Sequence, residues 1–305
     1  MNVREEEYLL AIARYGNIRT ASEELNISPP ALSIFLSNLE KRAGTALFHR
    51  VGKQFVPTAA GELYISYARL ITGYKQELDA KISDLRNDVT GKVYFGLHPR
   101  RTTYIVPMAL KAISDRYPNV DVKILESTSK DLFERLISGE LDFIIINRTV
   151  KNGALEYQEL YNDRLVGVLS PTHPLASSGV RIEGETLEWL DLKLFDGERF
   201  ILQHPTQSSR MYTDMALEYS GAHPGKTLVI ENLETASQMA AESLGIAFNI
   251  LSYTKNFAYT KPVRYYLVGD MKFYITYYIV KRRDRYLPKY ANFLIEALRM
   301  AVLGN

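Results

Sequence analysis

The chain has 305 residues, 46% of them apolar, with a formal net charge of +2 and no cysteine. This length suits two or three domains with buried cores, while near-neutrality excludes a basic coat and confines any nucleic-acid contact to a local patch. Without cysteine there are no disulfides, no thiolate metal or iron–sulfur sites and no thiol catalysis, as fits a reducing compartment. Glu5, Glu6 and Glu7 stand where a secretion signal needs an apolar core, and no run approaches the roughly 20 apolar residues of a membrane span. A cytoplasmic protein with no membrane contact is expected.

Tyr8, Leu9, Ile12 and Ala13 give the first segment one apolar face at helical spacing, and Gly16 ends it. Asn17 is placed to cap a second helix over 18–25, and Asn26-Ile27 makes a tight turn. Ser28 caps a third helix with Pro29 in its first turn, carrying Ala31, Leu32, Phe35, Leu36 and Leu39. This is a helix-turn-helix pattern. Two extended pieces around Gly52, at 47–50 and 51–57, read as a hairpin, or wing. From Lys41 to Gly61 there are four Lys or Arg residues and no acid, an unopposed basic stretch in a nearly neutral protein.

Thr58 caps a long helix predicted to run to about residue 89. Along it Tyr64, Tyr67, Ile71, Tyr74, Leu78, Ile82 and Leu85 recur every three or four residues, a near-heptad seam. At 1.5 Å per residue the helix spans roughly 45 Å. Its seam calls for a partner, either a second copy of itself or a surface of the larger domain. Beyond Gly91, strands at 93–97, 120–126, 143–147, 165–170, 200–203, 228–231, 246–250 and 273–280 alternate with helices at 104–117, 130–139, 208–219 and 234–244, before a final helix at 287–303. That alternation predicts an α/β body with mostly parallel strands.

These residues resemble the LysR-type transcription regulators. The head carries the resemblance in the run from Ala11 to Leu25, in Ser28-Pro29-Pro30-Ala31-Leu32-Ser33, Asn38-Leu39-Glu40, the run from Gly44 to Arg50, and Pro57-Thr58-Ala59-Ala60-Gly61. Farther on, Tyr117-Pro118-Asn119-Val120, Gly139-Glu140-Leu141-Asp142, His173-Pro174-Leu175-Ala176 and the run from Glu242 to Ala247 fall collinearly. The match spans essentially the whole chain. It implies an α+β multidomain protein: a winged helix-turn-helix DNA-binding domain at 1–58, a linker and dimerisation helix at 59–90, and a two-lobed α/β effector domain like the periplasmic binding proteins at 91–305. The first lobe would hold 91–161 and 268–305 and the second 162–267. It further implies a homodimer or homotetramer on a double-stranded DNA operator with dyad symmetry, with RNA polymerase as a further candidate partner. Oligomer geometry would respond to a small-molecule effector held between the lobes, and no cofactor is expected.

Docking the third helix in the major groove turns Pro30, Ser33, Ile34 and Ser37 toward base edges, with Ser28 at its start. Ser33 matches a family position that faces DNA. The family commonly has Gln where Pro29 stands and polar or basic residues where Ile34 and Phe35 stand, so apolar contacts to thymine methyls and DNA bending are expected to carry more of the specificity. Arg50 occupies the family's wing position and is expected to hold a phosphate, with Lys53, Arg19 and His49 beside it.

In a two-lobed binder, ligands lie where strands end and helix N-termini point inward. Three segments have that form: His98-Pro99-Arg100-Arg101-Thr102-Thr103, Ser127-Thr128-Ser129, and Gln203-His204-Pro205-Thr206-Gln207-Ser208-Ser209, with Asn147-Arg148 at the crossover. For each Ser or Thr, helix capping alone is the other reading. Arg100 and Arg101 among hydroxyls and amides suggest a small carboxylate or other anion; a subunit interface or pairing with an acid are their alternatives.

Two other function classes compete with a regulator. An enzyme is disfavoured: the five His are scattered at 49, 98, 173, 204 and 223, and neither a Gly-x-Ser-x-Gly nor a phosphate-binding glycine loop is present. Metal ligation has no His or acid cluster of suitable spacing. A solute-binding protein or sensor without a DNA role shares the two-lobed reading and would lack the basic helical head.

Overall fold

The computed structural model describes residues 4–52, 54–85, 89–255 and 257–303. The head begins with α1 (Arg4–Tyr15), stopped by Gly16 in the left-handed region at φ +60°. In α2 (Ile18–Glu24), Asn17 caps the first turn, its Oδ1 accepting from the Arg19 amide at 2.8 Å. α3 (Pro29–Ala43) starts at Ser28, whose Oγ accepts from the Ala31 amide at 3.3 Å. The wing is an antiparallel pair, β1 (Phe48–Val51) and β2 (Gln54–Pro57). Glu40 pins its entry by accepting from the Leu47 and Phe48 amides, at 2.8 and 3.1 Å. Leu9, Ile12, Leu32, Leu36, Leu39 and Leu47 close one core beneath these elements.

α4 (Ala59–Asp84) follows, with the Thr58 Oγ1 accepting from the Gly61 amide at 3.0 Å. The helix stops about five residues before the expected end near 89, and at 26 residues it spans about 39 Å. Ile65 and Ala68 enter the head core, so the start of α4 belongs to the head. Gly61 is required there, since a Cβ would lie 1.9 Å from the Leu47 carbonyl oxygen.

The body contains two five-stranded sheets. The first lobe is built from β3 (Gly91–Leu97), α5 (Pro99–Arg116), β4 (Val120–Glu126), α6 (Ser129–Ile137), β5 (Phe143–Ile146) and β6 (Leu155–Asp163). The second follows with β7 (Leu165–Leu169), β8 (Arg199–Leu202), α7 (Ser208–Ser220), β9 (Lys226–Val229), α8 (Leu233–Ala241), β10 (Ile246–Ile250), α9 (Leu251–Thr254) and β11 (Arg264–Leu267). The chain then returns to the first lobe as β12 (Ile275–Arg282) and α10 (Lys289–Leu303). Strand orders are β4-β3-β5-β12-β6 and β11-β7-β10-β8-β9.

The expectation of mostly parallel strands needs correcting. β12 runs antiparallel to both β5 and β6, and β7 runs antiparallel to both β10 and β11. The reason is topological. β6 carries the chain out of the first lobe and β12 brings it back through the same junction, with Ile275 opposite Asp163, so the pair must point in opposite directions. β6 and β11, absent from the expected strands, are both edge strands. β6 alternates poorly between apolar and polar residues, and neither shows the apolar run of a central strand. α5 begins at Pro99, five residues earlier than expected, because Pro at the first helical position costs no hydrogen bond.

Each lobe has its own core. In the first, α10 packs along α5 over stacked Phe95 and Phe143, 5.1 Å apart. In the second, Phe200 and Phe248 stack at 6.0 Å beside Tyr266. Among the described residues no helix is long and apolar enough to cross a membrane.

Gly61→Ala is expected to lower head stability by about 1–3 kcal/mol. Urea unfolding would show it, because the added methyl meets backbone rather than a side chain that can swing away.

Candidate DNA and effector sites

On α3, Leu32, Leu36 and Leu39 point into the head core, while Pro30, Ser33, Ile34 and Ser37 face outward, Ile34 with 61% of its surface exposed. Phe35 leaves the outward face: its ring meets Tyr8 edge-on at 5.2 Å. Its apolar character therefore serves packing, and the unusual outward residues reduce to the prolines and Ile34. Ser28 is exposed and spends its hydroxyl on the α3 cap. On the wing, the Arg50 guanidinium lies over the Phe55 ring at 5.0 Å, which props up an exposed cation. His49 is exposed next to it. Arg19, 83% exposed, pairs loosely with Glu23 at 3.3 Å. Lys53 lies outside the described residues.

α4 shows two faces. One buries Gly61, Ile65, Ala68, Gly73 and Ala80. The other leaves Tyr64, Tyr67, Ile71, Tyr74, Leu78 and Ile82 between 38% and 60% exposed, a continuous apolar stripe. The helix is fastened to the first lobe at three levels. Arg69 Nη2 meets Glu140 Oε1 at 2.7 Å. Arg285 crosses α4 at Gly73, where any side chain would strike it, and donates to Gln76 Oε1 at 3.2 Å. At the far end the Asp84 carboxylate accepts from the Tyr286 hydroxyl at 2.6 Å and the Lys289 amide at 3.1 Å. Glu140 and Asp142 belong to the Gly139-Glu140-Leu141-Asp142 run, so that run lies at the joint. Asp142 is partly buried, accepts from the Tyr94 amide at 2.8 Å and faces Arg285 at 3.8 Å; its withdrawal from water raises its carboxyl above the usual range.

From Glu140 a line of contacts continues along α6. Arg135 donates to Glu140 Oε2 at 2.6 Å and to both Asp131 oxygens at 3.0 Å, and Asp131 is hydrogen-bonded by Ser127. That hydrogen bond, followed by Arg135, holds the Asp131 carboxyl below its ordinary range.

Four helices begin at the C-terminal ends of parallel strands: α5 after β3, α6 after β4, α7 after β8 and α8 after β9. This is where open α/β sheets bind ligands. His98 caps α5, its Nδ1 accepting from the Arg100 amide at 3.5 Å. Burial, then Arg101 and Arg100, push the imidazole down to about 4, so it is neutral at pH 7. Arg100 reaches across to the second lobe and pairs with Glu234 in the first turn of α8. Asn147 also bridges the lobes, donating to Ser208 Oγ at 3.4 Å while its carbonyl accepts from the Tyr212 hydroxyl at 3.0 Å. Arg148 is exposed and near enough to Tyr212 to act on it electrostatically. These residues converge.

Others serve their own lobe. Arg101 is 3% exposed; it donates to the Ile145 carbonyl at 2.8 Å and Asn147 Oδ1 at 3.0 Å, and lies over the Tyr277 ring at 4.5 Å. Thr102 Oγ1 is buried without a hydrogen-bond partner. Thr128 caps α6, with the half-buried Ser129 beginning the helix. Gln203 is 1% exposed and bonds the Phe248 carbonyl and Thr213, at 3.1 and 3.0 Å. His204 and Thr206 close a turn on each other at 2.9 Å.

Sequence reading did not single out Glu234, Tyr212 or the aromatic floor of the junction. There Tyr161 stacks on Tyr277 at 4.5 Å, Tyr253 shares a hydroxyl contact with Tyr277 at 3.2 Å, and burial raises both the Tyr161 hydroxyl and the Asp163 carboxyl. Glu234 resembles any acid in a helix's first turn. Only the facing lobe makes it a partner. Among the described residues no group of three or more His, Asp or Glu could hold a metal ion.

A winged helix-turn-helix head joined by one long helix to a two-lobed α/β body is the architecture of a ligand-responsive DNA-binding protein. The comparisons agree. Residues 3–62 match the family model described as "Bacterial regulatory helix-turn-helix protein, lysR family", and residues 86–302 match "LysR substrate binding domain". The chain belongs to the LysR family of DNA-binding transcription regulators, with a substrate-binding effector domain. Among its relatives, the hydrogen peroxide-inducible genes activator of Haemophilus influenzae is 26% identical over 81% of this chain and 79% of its own. The uncharacterized regulator YybE of Bacillus subtilis is 29% identical over 81% and 82%. A full-length OxyR variant from Pseudomonas aeruginosa has the same fold, with TM-score 0.74 at 21% identity over 98% of both chains, and full-length BenM gives 0.58 at 21% over 100% and 97%.

The His98 shift has a consequence for stability. Between pH 6.5 and about 4 the unfolded imidazole takes up a proton and the folded one does not, so His98 lowers stability as pH falls through that window. His98→Asn, which keeps a capping acceptor, is expected to flatten that part of a stability–pH curve measured by urea unfolding.

Proposed function

We propose that this regulator acts as a homo-oligomer on an operator with dyad symmetry, and that a small molecule between the lobes sets its geometry. The observation that carries this reading is the double role of α4. Its bare apolar stripe suits a second copy of itself, and its opposite side is fastened to the effector lobe by Arg69, Arg285 and Asp84. A shift of the lobes therefore has to move the seam that spaces two DNA-reading heads. The contacts Ser127–Asp131–Arg135–Glu140–Arg69 run from the cleft side of α6 to that helix and supply the physical connection.

In this reading α3 enters the major groove with Pro30, Ser33, Ile34 and Ser37, and Arg50 holds a phosphate, with Arg19 and His49 as further contacts. His98, Arg100, Asn147, Arg148, Ser208 and Glu234 form the effector cleft. Oxidation of a thiol is not the signal, whatever the peroxide-inducible relatives respond to, because the chain has no cysteine. A sensor without a DNA role would yield no specific operator complex in a gel shift.

Two outcomes test this. Arg50→Ala is expected to weaken operator and nonspecific DNA alike and to reduce the slope of log Kd against log salt by about 1. Arg69→Ala and Glu140→Gln are expected to keep operator affinity while abolishing the effector-dependent change in the footprint, and the double variant should be no worse than either single one. An unchanged effector response in both would refute the connection.

A further inference from the structure

Arg100 and Glu234 stand in the first turns of helices on opposite lobes, and their charged ends meet across the cleft. Both are largely withdrawn from water, their side chains 16% and 23% exposed. Arg101, the other arginine of the pair, is turned inward onto Tyr277 and Asn147, which leaves Arg100 as the one that faces the second lobe. His98 is neutral, its pKa near about 4, and adds no cation. The hydrogen bonds beside this pair, Asn147 to Ser208 and Tyr212 to Asn147, are uncharged; Arg148 is exposed, and the Lys255 ammonium lies over the Tyr104 ring at 5.9 Å.

This arrangement departs from the anion expected from Arg100 and Arg101 alone. An anion that took Arg100 would leave the Glu234 carboxylate beside it, unpaired, once the lobes closed. A cation that took Glu234 would strand Arg100 in the same way. Removing one partner of a withdrawn ion pair costs more than the pair gains, because the other charge remains desolvated. A ligand with both charges on neighbouring atoms replaces each partner with its own opposite charge and strands neither. The two side chains need separate only by the width of one small head group.

Resting on the effector-cleft reading above, we propose that the effector is a zwitterion, an α-amino acid or its close relative. Its carboxylate takes Arg100 and its ammonium takes Glu234. The ion pair seen here then acts as the stand-in that holds the lobes together without ligand, and exchange of that pair for the ligand is the step the linker helix senses.

The test is a thermal-shift panel on the full chain, with each L-α-amino acid run beside its deaminated acid and its decarboxylated amine. At least one amino acid should raise Tm while its matched acid and amine do not. Glu234→Gln and Arg100→Gln should each weaken that binding at least about tenfold, the loss of one charge-assisted hydrogen bond; circular dichroism of each variant checks its fold. A deaminated acid that binds as well as its amino acid overturns the zwitterion. If Arg100→Gln then abolishes binding of that acid, the cleft reading survives. A shift that persists in both variants places the ligand elsewhere and overturns the two readings together. Absence of a shift with every amino acid also overturns the zwitterion; succinate and inorganic phosphate, run alongside on both the parent and Arg100→Gln, then decide whether the cleft binds anions.

Discussion

The attachment of α4 is the constraint on which the rest of the molecule depends. Its first turns complete the head core through Ile65 and Ala68, its middle lets Arg285 cross at Gly73, and its last residue, Asp84, accepts from the α10 entry. A helix held at both ends and in the middle transmits displacement instead of absorbing it. The same helix leaves seven large apolar side chains uncovered, six of them along one stripe. It thus joins the head core to the first lobe.

The body is divided. Two lobes with separate cores are joined where β6 leaves and β12 returns, over an aromatic floor of Tyr161 and Tyr277. Across the open side they touch through polar contacts that include the Arg100–Glu234 ion pair. These contacts lie at the rim, whereas the aromatic floor is buried.

The head is where sequence and structure agree most closely, and the reason is local. Asn17, Ser28, Thr58, Gly16 and Gly44 start or stop helices through bonds within a few residues of themselves, so their effect is readable in order along the chain. The reading weakens where a residue's role depends on what lies across from it. Phe35 departs from the family's polar residue at that position, yet its ring packs on Tyr8 and not on the DNA-facing side. β6 and β11 escaped notice because an edge strand lacks the apolar run that marks a central one. The first turns of α5 are polar and lack the apolar period of a helix, and only the fold shows that Arg100 faces the other lobe while Arg101 turns inward.

For this protein, the sequence by itself determined the order of modules, the capped helices of the head, the wing with Arg50 and the apolar seam of α4, because spacing and local chemistry encode each of them. It also brought Arg100, Asn147 and the hydroxyl-rich turns into view as candidates. Tertiary structure alone decided which of these meet. Glu234 lies 134 positions from Arg100 and Arg69 lies far from Glu140 along the chain, and nothing local marks either pair. Such pairs exist only once the sheets have formed and the chain has crossed between the lobes and back, since charges separated this far in sequence acquire a partner from the fold and from nothing else.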